Sequence, residues 1–228
     1  MVRSVLFGAV AILSLASCST LQSLILAPTN IETVTALREV LNSSSFRAIA
    51  KLALLKQNGF EEILPEEVEP VVGVLRTLGL GSQIDKVNQG IVDASSIALE
   101  ETKGTVTDAI SRLTFADAVA VVQGGPDAAT VIFKNAMYEA VQDRYSSKID
   151  TELQKIDEMK YWDTAVKSYN LFAKNKVEDS LADLLAKKAV DALFLTMAKE
   201  EAEIRKDPAS LGIPVVTRVF DYYRNQPK

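Results

Sequence analysis

Four acids are the groups in this chain best placed to do chemistry: Asp117, Asp127, Asp191 and Glu201. Two carboxylates held about 5–9 Å apart across a cleft can hydrolyse a glycosidic bond, one as acid and the other as nucleophile or base. Asp191 is conspicuous because it interrupts Ala189-Val190-Asp191-Ala192-Leu193-Phe194-Leu195-Thr196-Met197-Ala198, a run apolar nearly all round. A helix of that composition is expected to be buried on most sides, and a buried carboxylate needs a partner or takes a raised pKa. Lys187 and Lys188, one turn earlier, are the expected partners, with a functional acid as the other reading. Glu201 and Arg205 stand four residues apart and read as a helical ion pair.

Other chemistries are closed by composition. The chain has 228 residues, no histidine and one cysteine, Cys18. Ser-His-Asp and Cys-His catalysis, the His-Glu-x-x-His zinc site and the Glu-x-x-His di-iron motif are therefore excluded. An internal disulfide is excluded too. Five glutamates between Glu61 and Glu69 could suggest a cation site, but no Asp-x-Asp-x-Asp-Gly loop accompanies them. They read as a solvated helix start favoured by the helix dipole. No metal or cofactor is expected. The net charge of −5, about −6 once Arg3 is removed with residues 1–17, argues against nucleic acid and against electrostatic adhesion to anionic lipid.

The elements that would position these groups are all helical. Residues 114–144 form the centre of the reading. Thr114 and Asp117 resemble a capping box, and Phe115, Ala118, Val119 and Val122 follow at helical spacing. Gly124 and Gly125 can both adopt a positive φ, so one of them is expected to close that helix, with Pro126 at the first position of the next helix and Asp127 in its first turn. Ala129, Ile132, Phe133, Ala136, Met137, Ala140 and Val141 then line one face. A Gly-rich corner before a helix N-terminus can hold an anion, but Asp127 puts negative charge at its mouth. A tight helix–helix turn is the plainer reading.

The remaining segments follow the same logic. Thr29 and Glu32 begin a helix to Gln57 with Ile31, Val34, Leu37, Val40 and Leu41 on one face; Ser43 to Ser45 is a point where it could bend. Pro65 begins a second helix, stopped by Gly79. Ser82 with Asp85 begins a third, which Gly104 is expected to interrupt before a short helix from Thr105 to Leu113. Ile149, Leu153 and Ile156 mark another, and Tyr161 to Ala173 another. Lys160-Tyr161-Trp162-Asp163 is either a ligand wall, a membrane-facing edge or core packing with a satisfied polar tip. A long helix covers about Glu178 to Lys206, and Pro214 to Arg224 ends the chain. No strand alternation, internal repeat or flexible linker divides residues 30–224. The expectation is an all-α fold: one compact bundle of about nine helices spanning residues 29–228.

The N-terminus carries its own signal. Arg3 precedes an apolar run from Val5 to Leu15, too short to span a bilayer, which takes about 20 residues, and suited to an export signal. Leu15-Ala16-Ser17-Cys18 follows at once and resembles the bacterial lipobox. That resemblance implies cleavage between Ser17 and Cys18, with acyl chains on Cys18 anchoring the protein to a membrane. Residues 1–17 are then signal peptide and 18–28 a lipidated tether. Ser19 in place of an aspartate implies the periplasmic face of the outer membrane in a Gram-negative cell.

Larger stretches resemble a bacterial family called domain of unknown function 4197. They are Thr114-Phe115-Ala116-Asp117-Ala118, Gly124-Gly125-Pro126-Asp127-Ala128-Ala129-Thr130 with Phe133, Leu78-Gly79-Leu80-Gly81, Lys160-Tyr161-Trp162, and Ala189 to Phe194 with Glu200, Glu201, Ile204, Arg205 and Pro208. One departure is Ala192, where a glycine is expected. The resemblance implies an exported helical protein, often a lipoprotein, and lends no activity. Asp191, Glu201, Arg205, Gly124, Gly125, Asp127 and Thr130 are the candidate polar and corner residues, functional or structural. The functions left open are a non-catalytic envelope module that binds a partner protein or apolar ligand, a lipid carrier with a cavity around Phe133 and Phe194, and a carboxylate-dependent envelope hydrolase.

Overall fold

A computed structural model describes residues 26–55, 65–177 and 180–226. The export signal, Ser17, Cys18, most of the tether, Glu61 and Glu62 lie outside them. The described residues form eight α-helices and no strand: α1 Asn30–Leu55, α2 Glu69–Thr77, α3 Gly81–Arg112, α4 Ala118–Gln123, α5 Ala128–Leu153, α6 Met159–Phe172, α7 Leu181–Lys206 and α8 Pro214–Arg224. Short 3-10 turns precede α2 and α8, at Glu66–Val68 and Pro208–Leu211.

Within these eight helices two expected breaks are absent. Gly104 does not interrupt α3. It sits on the exposed side, whereas Thr102, Val106, Ala109 and Ile110 are buried. A helical glycine costs about 1 kcal/mol relative to alanine, less than burying that apolar stripe returns. The chain also passes through Arg144 unbroken, since Val141, Tyr145, Ile149 and Leu153 continue a buried row at four-residue spacing.

The caps explain most of the ends. Thr29 and Glu32 form the expected reciprocal box, with Glu32 N donating to Thr29 Oγ1 at 3.2 Å and Thr29 N to Glu32 Oε2 at 2.8 Å. Asp117, not Thr114, caps α4: its carboxylate accepts from Ala120 N at 2.9 Å. Gly79 takes φ +78° and ends the turn after α2. Neither Gly124 nor Gly125 adopts the expected positive φ; Gly124 is extended, at φ −72° and ψ −165°. What it requires is space. A Cβ there would lie 3.1 Å from both Ala120 O and Ala128 Cβ. Pro126 stands in the turn before α5, two residues short of its first helical position.

Helices α1, α3, α5 and α7 form the body, each antiparallel to the next. Lys103 lies over Phe46, and Arg38 donates to Leu113 O at 3.0 Å, so α1 and α3 run in opposite directions. Glu101 pairs with Lys148, and Ile156 lies against Gly90. Ser146 donates to Asp183 at one end of the α5–α7 pair, and Glu201 meets Ala129 at the other. Helices α4 and α8 close the end holding the C-terminus of α7, and α2 and α6 pack together at the opposite end. The core runs continuously through the body and includes Leu37, Leu41, Ile91, Ile110, Phe133, Tyr145, Leu193 and Met197. Ile31 departs from the expected α1 stripe, at 79 % exposed. Ser44 and Ser45 are fully buried; their hydroxyls donate back to Leu41 O and Asn42 O, and α1 continues through them.

Candidate functional site: a buried acid–base clasp and a distal groove

The Glu201 carboxylate is buried completely. It accepts from Ala129 N at 3.0 Å and Thr130 N at 2.7 Å, the first free amides of α5. Arg205 Nε donates to the same carboxylate at 2.8 Å. The rest of its guanidinium turns to the C-terminal end of α4, donating from Nη1 to Val122 O at 2.8 Å and from Nη2 to Val121 O at 3.1 Å. The guanidinium lies 5.1 Å from the Phe220 ring centroid in α8. One i, i+4 pair on α7 thus supplies an anion to the start of α5 and a cation to the end of α4, the signs that helix ends favour.

This arrangement settles what the corner does. The anion position before α5 is filled by the protein's own Glu201. Gly124 lets Ala120 and Ala128 approach closely enough for one guanidinium and one carboxylate to reach both helix ends. Gly125 is not crowded, with Asp127 Oδ1 at 3.7 Å from an added Cβ. Asp127 is the N-cap residue of α5 but makes no side-chain cap bond. Thr130 is buried, and its hydroxyl has no partner among the described residues. Its amide, not its side chain, serves the clasp.

Asp191 is not buried. Its side chain is 49 % exposed, accepting from Tyr138 Oη at 3.1 Å with Lys134 Nζ at 3.5 Å, both on α5. These partners come from α5, where the expectation was Lys187 and Lys188 on α7 itself. Asp191 lies on the outer side of α7 with Leu195, while Val190, Leu193, Phe194 and Met197 face inward. Burial, with the neighbouring Asp191 charge added, pushes the Tyr138 phenol up to about 12. The buried acid that sequence reading did not single out is Glu200, which pairs with Lys51 and lies 4.0 Å from Arg47, fastening α7 to α1. Two successive glutamates, about 100° apart around the helix, therefore join α7 to two different neighbours, α1 and α5.

The four nominated acids do not share a cleft. Asp117 caps α4, Asp127 stands at the corner, Glu201 is inside the clasp and Asp191 is at the surface. Phe133 and Phe194 are both buried, with ring centroids 5.5 Å apart.

A groove of about 420 Å3 lies at the far end of the α5–α7 pair. Leu153, Trp162, Val166, Val177 and Leu181 are among its apolar lining residues; Asp150, Asp163 and Lys167 also line it. Trp162 is 3 % exposed, so the aromatic segment is both packed and part of a wall. Asn170 fixes the strand of chain beside it, exchanging hydrogen bonds of 2.8 and 2.9 Å with the backbone of Val177. Trp162 and Asp163 belong to the aromatic cluster that the sequence offered as a ligand wall; Asp150 and Lys167 were missed because they sit on ordinary solvated helical faces, and only the meeting of α5, α6 and α7 brings them together.

Among the described residues, no group of three or more acids or cysteines is arranged to hold a metal ion, and no helix is long and apolar enough to cross a membrane. Comparison with curated proteins and with solved structures gives no match. A family model described as "Protein of unknown function (DUF4197)" matches residues 27–221, and the chain belongs to that family.

Proposed function

We propose that the protein is a membrane-anchored envelope lipoprotein, held through acyl chains on Cys18, whose helical domain is a non-catalytic binding module. The observation that carries this reading is the fate of the polar signature. Glu201, Arg205, Gly124 and the Ala129–Thr130 amides tie three helices together, and the Glu201 carboxylate is wholly buried in that joint. The surface suited to a partner is instead the groove beside Trp162. Its volume of about 420 Å3 falls within the usual range for ligand sites. That volume also favours a second reading, a carrier of a small apolar ligand in the same groove.

Both halves of the reading are tested with protein purified from membranes. Mass spectrometry of the mature N-terminal peptide is expected to begin at Cys18 and to carry acyl chains; an unmodified thiol removes the anchor. Capture from membranes is then compared between wild type, Val166→Phe, which fills the groove, and Asp191→Ala, which alters only a surface pair. Loss of the bound protein or apolar ligand with Val166→Phe alone supports the groove. Equal capture by all three forms contradicts it.

A further inference from the structure

Leu26 and Ile31 are 78 % and 79 % exposed, and both lie where the described chain leaves its tether. Their exposure does not come from a loose end. Arg218 on α8 donates to Leu26 O at 3.3 Å and pairs with Glu32, one residue beyond Ile31. Pro28 between them is buried. Two large apolar side chains are thus held outward by a fixed backbone.

Leu26 stands eight positions after Cys18, a reach of at most about 29 Å when fully extended. Helices α5 and α7 are 26 residues each, so each is about 39 Å long. The start of α1 lies at the α8 end of the body, beside the C-terminus of α7. The groove lies at the other end, against the C-terminus of α5 and the N-terminus of α7.

We infer that Leu26 and Ile31 form the domain's contact with the lipid surface, seating the α1–α8 end in the interfacial region and holding the groove away from the bilayer. The inference rests on the acylation of Cys18 proposed above. The contact is apolar, consistent with the acidic net charge of the chain. The groove then faces partners that approach from the aqueous side, not acyl chains of the anchoring leaflet.

The acylated chain makes this directly measurable, because its only cysteine is blocked. Single substitutions Ile31→Cys, Leu26→Cys and Phe172→Cys each take an environment-sensitive fluorophore; Phe172 is 91 % exposed on α6, which lines the groove. The labelled proteins are reconstituted into phosphatidylcholine vesicles containing spin-labelled phosphatidylcholine. Labels at 26 and 31 are expected to shift to the blue and to be quenched at least about three-fold more than the label at 172. Equal quenching at all three positions, or stronger quenching at 172, overturns the seating and leaves the anchor intact. Intact mass of each preparation separates the two ideas: a chain without acyl groups overturns the anchoring and this inference with it.

Discussion

Glu201 and Asp191 exchange the roles that composition assigns them. Asp191 sits in the most apolar run of the chain yet faces outward, since a helix apolar nearly all round still has an outer side when packed from one direction. Glu201 sits in an unremarkable charged stretch and is buried completely because two helix ends converge on it. Spacing could suggest the Glu201–Arg205 pair but not its targets, which lie more than 70 residues away. At this scale Tyr145 gives a sharp test. It is 1 % exposed, donates to Ser95 O at 3.1 Å, and burial pushes its phenol up to about 12. Its folded pKa lies above the unfolded value near 10. Its contribution is therefore complete below pH 10 and is lost as pH rises towards 12, amounting to roughly 2–3 kcal/mol. Urea midpoints measured between pH 9 and 12 should fall with pH, and Tyr145→Phe should reduce that slope. An unchanged slope in the variant would rule out the assignment.

Helix boundaries were legible wherever a cap or a left-handed glycine marked them, as at Thr29–Glu32 and Gly79. They were misread where a local breaker was overridden by a distant surface, as at Gly104 and Arg144. Glycines therefore divide by what surrounds them. Gly104 is helical and exposed, with nothing within 4 Å of an added Cβ. Gly104→Ala should stabilise the protein by up to about 1 kcal/mol, through helix propensity alone. Gly124 meets two backbone oxygens and the Ala128 Cβ at 3.1–3.2 Å, atoms that cannot rotate away. Gly124→Ala should destabilise by about 1–3 kcal/mol, as overpacked sites do. Thermal denaturation of the two variants side by side checks both signs. Stabilisation by both, or loss by both, would refute this sorting of the glycines.

Across the molecule, the all-α class and the chain order of helices followed from periodicity, because each helix has its own apolar stripe. Which helix ends meet did not follow, because that depends on pairings between α1, α3, α5 and α7 that no local pattern encodes. The groove was illegible for the same reason. The resulting body is asymmetric. One end holds the clasp, α4, α8 and the start of α1; the other holds α2, α6 and the groove. At the first end Glu201 and Arg205 join α7 to α4 and α5 while Phe220 packs on the guanidinium.

That account stands or falls on the clasp being architectural. The direct measurement is a double-mutant cycle by urea denaturation with Glu201→Ala, Arg205→Ala and the combined variant. Each single change strands a buried partner, so each should cost about 3–5 kcal/mol, a large share of a typical total of 5–15 kcal/mol. The double variant should cost clearly less than the sum of the two. Wild-type midpoints for Glu201→Ala, or strict additivity in the cycle, would contradict the account.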